Sequence, residues 1–135
     1  ISRPQDPYEV EHIWANRYER HTDEFDSEAD FRDHRNRVGD LVLLPKSFNA
    51  SYGDMPYEAK LDRYAKHNVL ARSLHPDAYE RDPSFLKLKD DRQLLFEPYP
   101  AAFTREAVVE RQDLYVSIAK IIWDPGTLKV ASQQA

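Results

Sequence analysis

The chain has no cysteine. Its 135 residues therefore form no disulfide, carry no thiolate nucleophile and offer no cysteine-based zinc site, which leaves oxygen and imidazole ligands for any metal chemistry. A cytoplasmic protein fits this composition best. Long hydrophobic runs are also missing: none approaches the roughly 18 to 20 apolar residues needed to cross a bilayer, and the N-terminus lacks the basic and apolar regions of a signal peptide. A soluble chain with no membrane partner is the expectation. An initiating methionine is absent too; the chain opens on Ile1-Ser2-Arg3-Pro4 and reads as a piece of a longer polypeptide. Positive charge is in short supply, with 19 Lys and Arg against 24 Asp and Glu and a net charge of −5. That balance argues against a grip on nucleic acid by bulk electrostatics. The distribution softens the argument, because Asp23, Glu24, Asp26, Glu28, Asp30 and Asp33 crowd one stretch while Arg35, Arg37, Lys46, Lys60, Arg63 and Lys66 fall around the candidate site of Glu11, His12 and Asn49. A locally basic cleft on an acidic domain and ordinary solvated faces are both compatible with it.

What is present is enough for one domain with a real core. Val10 to Trp14 reads as a short strand in which Tyr8, Val10 and His12 share one face, with Glu11 on the other. Ser27 is placed to cap a helix running to about Asn36, with acids in its first turn and Arg35 and Arg37 near its end, both suited to the helix dipole. Leu41-Val42-Leu43-Leu44 is a compact buried strand closed by Pro45. Ser47 to Pro56 reads as a polar loop carrying Asn49, and Pro56 opens an amphipathic helix through Tyr57, Leu61 and Tyr64. From Leu70 to Phe103 prolines punctuate the chain and predict short helical turns and loops. Thr104 caps the clearest helix, whose stripe of Ala107, Leu114, Ile118 and Ile121 ends at Trp123.

Glu11, His12 and Asn49 supply a carboxylate, an imidazole and a carboxamide. Hydrolysis of a phosphodiester needs an activated water and neutralisation of growing phosphoryl charge, roles open to a histidine and to an oxygen-ligated divalent cation. By itself a Glu-His dipeptide in an apolar stretch is as compatible with a packed core histidine. Three segments carry more: Glu11-His12-Ile13, Val38-Gly39-Asp40-Leu41-Val42-Leu43-Leu44 followed by Asn49, and Pro56-Tyr57-Glu58-Ala59-Lys60. With Phe103-Thr104-Arg105-Glu106-Ala107, Arg111 and Ile122-Trp123 in the closing helix, the chain resembles the HNH domain at the C-terminus of GmrSD-type restriction endonucleases.

The resemblance implies an α+β fold with a small ββα-metal core (HNH, His-Me finger) wrapped by several helices, and a DNA endonuclease that nicks with Mg²⁺ or Mn²⁺. It implies His12 as the general base, Glu11 and Asn49 as metal ligands, and Asp40 at the position that steadies the loop and the base. The family has Asn where Asp40 stands, and an ionised Asp accepts hydrogen bonds but donates none; its alternative role is to bind the metal. The domain would span residues 8–124, between a linker over 1–7 and a tail over 125–135. Its partners would be DNA and a nucleotide-hydrolysing ParB-like N-terminal domain of the same protein, as in the phage-defence SspE type. Lys46 and Lys60 are candidate phosphate contacts, with a helix-borne ion pair as the other reading of Lys60. Arg111 is a candidate anchor for a buried acid. His21, His34, His67 and His75 lack helical zinc spacing and are taken as surface or structural. Two other readings of the whole remain: a catalytically degenerate DNA-binding or regulatory module, and an interaction domain whose Glu-His pair is structural.

Overall fold

Alternation at a period of two between Tyr8, Val10 and His12 on one side and Glu9 and Glu11 on the other forms strand β1, Tyr8–His12, in a computed structural model that describes residues 7–124 and 126. Strand β2, Leu41–Pro45, runs antiparallel to it, pairing His12 with Leu41, Glu11 with Val42, Glu9 with Leu44 and Tyr8 with Pro45. Cross-strand partners share a face. Glu9 and Glu11 therefore face the core with buried Val42 and Leu44, while His12 shares the outer face with Val10 and Leu43, both half exposed. Between the strands lies helix α1, Glu28–Arg35, whose Ser27 hydroxyl accepts the Asp30 N–H at 3.1 Å. A cap of this kind contributes about 1 kcal/mol.

A short 3-10 turn at Val38–Asp40 leads into β2. It packs against the last long helix, α7 (Arg105–Ile122), so closely that a Cβ on Gly39 would lie 1.9 Å from the Val108 carbonyl oxygen. Only glycine permits that approach. Residues 46–52, expected as loop, are helical: α2 spans Lys46–Tyr52 and ends at Gly53, whose φ of +49° suits glycine. Phe48 and Tyr52 stand four apart, and Tyr52 buries itself in the core. Asn49 thus sits on a helix rather than in a loop.

The expected helix after Pro56 is α3, Tyr57–Tyr64. The proline-punctuated stretch contains α4 (Val69–Arg72), α5 (Asp77–Arg81) and α6 (Pro83–Asp91). Pro76 precedes α5 and Pro83 is the first residue of α6, so these prolines start helices instead of breaking them. One core cluster joins Ile13, Trp14, Phe31, Val42, Leu44, Tyr64 and Val108; a second joins Phe85, Leu94, Phe96 and Leu114. Helix α7 contributes to both. The architecture is a mixed α+β one, a two-stranded sheet with helices around it. Apart from Pro7 and Gly126, the expected linker and tail lie outside the described residues. No helix among the described residues is long and apolar enough to cross a membrane.

Candidate functional site

The chain leaves β1 at His12 and drops at once into the core, where the Trp14 indole stacks on Phe31 and meets Phe25 and Phe103 edge-on. That descent is fixed on every side. The Ile13 N–H donates to the Asp40 carbonyl at 2.7 Å, and the Trp14 N–H donates to Asp40 Oδ1 at 3.1 Å. The Trp14 indole N–H donates to the Phe103 carbonyl at 2.7 Å, and the Trp14 carbonyl accepts from Arg35 Nε at 3.0 Å. His12 is consequently the last residue before a clamped segment, and its half-buried ring projects on the outer face.

Nε2 of His12 lies 3.0 Å from Asn36 Oδ1, an acceptor, so this nitrogen carries the proton in the neutral ring and Nδ1 keeps the lone pair. Burial, the Arg35 guanidinium and Lys60 together hold the imidazole below the ordinary 6.5, although the Asn36 bond works in the opposite direction. Asn36 was missed from the sequence, whereas Arg35 stood among the basic residues expected around the site. A signal was present, since Asn36 ends α1 only five residues before Leu41, the residue that pairs with His12.

Asp40 is fully buried. One oxygen accepts from Trp14, and the other, Oδ2, has no hydrogen-bond partner. Burial pushes its carboxyl well above the ordinary 3.8, against the pull of the Trp14 N–H and of Lys60 and Arg35. Through its side chain and its carbonyl it holds the two residues after His12.

Glu11 points to the core face. Its Oε2 accepts from Tyr64 at 2.8 Å and from Lys60 Nζ at 3.3 Å, and Lys60 also donates to the His12 carbonyl at 3.0 Å. Burial lowers the Lys60 pKa while Glu11 raises it, and burial followed by Glu11 pushes the Tyr64 phenol upward. Lys60, 1% exposed, pairs with a strand carboxylate and not with one on its own helix. Its ammonium is enclosed in the protein. Asn49 reaches the same face of β1, its Nδ2 donating to Glu9 Oε1 at 3.3 Å and lying 3.5 Å from the Val10 carbonyl. Glu9, Glu11 and the Asn49 side chain therefore line one side of the strand, and His12 projects on the other. Lys46 opens α2 beside Pro45, the opposite end of the strand pair from His12, roughly 13 Å away by strand rise.

Carboxylate and carboxamide oxygens are donors of the kind Mg²⁺ or Mn²⁺ takes, but Glu11 is buried against Tyr64 and Lys60, Asn49 turns Nδ2 toward Glu9, and both expected ligands lie on the face of β1 away from His12. A second group, Asp30, Asp33 and His34 on α1, brings ligand atoms within 4.8 Å of one another. Its carboxylates are already engaged, Asp33 with Arg37 at 2.9 Å and Asp30 with Arg105 at 3.5 Å, and His34 Nδ1 lies 3.0 Å from the Asp30 carbonyl. Arg111, expected to anchor an acid, donates instead to neutral oxygens: Ser73 Oγ, the Leu70 carbonyl and the Tyr115 hydroxyl.

The sequence model of the family described as GmrSD restriction endonucleases, C-terminal domain, matches residues 2–117. No curated protein and no solved structure matches the chain.

Proposed function

The chain belongs to the family of GmrSD restriction endonuclease C-terminal domains, and on that premise we propose that it is a metal-dependent HNH endonuclease domain that nicks DNA. The observation that supports the reading most is the presentation of His12: a ring on the outer face, fixed through Nε2 by Asn36, with Nδ1 left as the basic atom. A pKa held below 6.5 keeps that ring in its base form at neutral pH.

In this mechanism Nδ1 of His12 takes a proton from water, whose oxygen attacks phosphorus as the P–O bond to the 3′ oxygen breaks. Asn36 keeps the ring in the reactive tautomer. Asp40 accepts from the Trp14 N–H and so holds the main chain after the base. The resemblance names Glu11 and Asn49 as ligands of a divalent cation that would supply charge neutralisation, but Glu11 is enclosed with Lys60 and both residues face the side of β1 away from His12, so no step is routed through a cation held there. Lys60 orients Glu11 and the His12 carbonyl, and Lys46 serves a phosphate farther along the strand. A ParB-like nucleotide-hydrolysing domain in the same polypeptide would govern when the domain cuts, as befits a restriction or phage-defence protein.

The test is conversion of supercoiled plasmid to open circle by wild type and His12→Ala, with Mg²⁺, with Mn²⁺ and with chelator, both proteins being checked for fold by circular dichroism. Open circle is expected only from wild type with metal, the variant losing about 10²- to 10⁴-fold. Equal nicking by both proteins would remove His12 as the base. DNA binding without nicking by wild type would favour the degenerate DNA-binding module.

A further inference from the structure

Arg35, the last residue of α1, is anchored rather than floating: its Nε donates to the Trp14 carbonyl at 3.0 Å, which sets the guanidinium beside the segment that carries His12. Its neighbours differ. Arg37 is held by both Nε and a terminal nitrogen on Asp33, at 3.2 and 2.9 Å, and Lys60 is enclosed with Glu11. Among the described residues no carboxylate lies within ion-pair distance of Arg35, and its one hydrogen bond is made by Nε. Burial weighs against its charge and the more distant carboxylates of Asp40 and Glu11 support it, and a guanidinium stays protonated across the working pH range. A partly desolvated, anchored cation with unused donors is a site for an oxyanion.

We propose that Arg35 holds the reacting phosphate beside His12, its terminal N–H groups donating to the non-bridging phosphoryl oxygens as negative charge grows on them. The inference rests on the nuclease reading and adds a catalytic residue to it. It explains how a chain of net charge −5 places positive charge where it is needed without a basic surface, since one oriented guanidinium acts at the reacting atoms themselves.

The test uses Arg35→Gln, which removes the charge and keeps an amide able to reach the Trp14 carbonyl, and Arg35→Lys, which keeps the charge and loses the fork. Arg37→Gln is the control, and thermal melting verifies each fold. Binding to a short DNA duplex is measured against salt concentration with chelator present, and nicking of supercoiled plasmid is measured with Mn²⁺. Arg35→Gln is expected to flatten the slope of log affinity against log salt by about 1 and to slow nicking by about 10²-fold or more. Arg35→Lys should restore the slope and only part of the rate, and Arg37→Gln should leave the rate unchanged. An unchanged slope in a folded Arg35→Gln overturns the proposal, whether nicking survives, which leaves the nuclease reading standing, or is lost, which confines Arg35 to holding the Trp14 turn. If wild type does not nick at all, the nuclease reading fails, and the slope alone still decides whether Arg35 meets phosphate.

Discussion

Asp40 shows how much one atom decides. A buried carboxyl with one oxygen satisfied and the other without a partner is pushed toward the neutral acid, its pKa raised by burial. Its folded-state pKa lies above the unfolded value, so the folded protein binds the extra proton. Stability on this account is greatest below the ordinary 3.8 and falls as pH rises through the elevated folded value. Asp40→Asn keeps the acceptor for the Trp14 N–H and removes the titration. The variant is expected to melt higher than wild type at pH 8 by a few degrees, 1 kcal/mol being worth roughly 4 °C in a chain of this size. The gain should shrink toward pH 4. Melting curves across that range measure it, and a gain independent of pH would contradict the neutral-acid assignment.

Between elements, two contacts set the register of the site. The first is Gly39 against α7, where a methyl group would meet a main-chain carbonyl that cannot swing aside. Gly39→Ala is expected to destabilise the fold by about 3 kcal/mol, read as a lower urea midpoint with an unchanged slope. The second is the buried pair of Glu11 on β1 and Lys60 on α3. Lys60→Met leaves a buried carboxylate without its cation and should cost roughly 3 to 5 kcal/mol, while Glu11→Leu with Lys60→Met recovers most of it; urea denaturation of both variants checks this. The elements that carry these contacts were legible to different degrees. Ser27, Pro56 and Thr104 announced α1, α3 and α7 because caps act locally. Helix α2 was hidden, since its sequence is polar and its apolar residues, Phe48 and Tyr52, make a single pair. Strand β1 starts earlier than expected and stops at His12, because Trp14 finds its partners in Phe31 and Phe103, residues that no local pattern connects to it. The placement of His12 and Glu11 on opposite faces followed from alternation alone. Asn36 and Glu9 did not come into view, because their relation to the site depends on where α1 ends and on how α2 crosses the sheet.

For the whole molecule, the nuclease reading makes a divalent cation the ligand with a global effect. A ligand that binds only the folded state stabilises it by about 2.7 kcal/mol at a hundred times its dissociation constant. Mn²⁺ is expected to raise the melting temperature of wild type and not that of Asn49→Ala, measured by calorimetry without DNA. A wild type indifferent to Mg²⁺, Mn²⁺ and Ni²⁺ would favour the interaction-domain reading. The assembly also runs from one end of the chain to the other. Helix α7 supplies the Val108 backbone against which Gly39 rests, and the Tyr115 hydroxyl that donates to the Leu41 carbonyl at 2.7 Å, the residue opposite His12. On the ribosome β1 and β2 emerge well before α7, so the wall that fixes them is made only once residue 122 has cleared the exit tunnel. A nascent chain stalled before α7 carries His12 without the contacts that fix its strand pair, and on the nuclease reading such a fragment is harmless to the DNA of the cell that makes it.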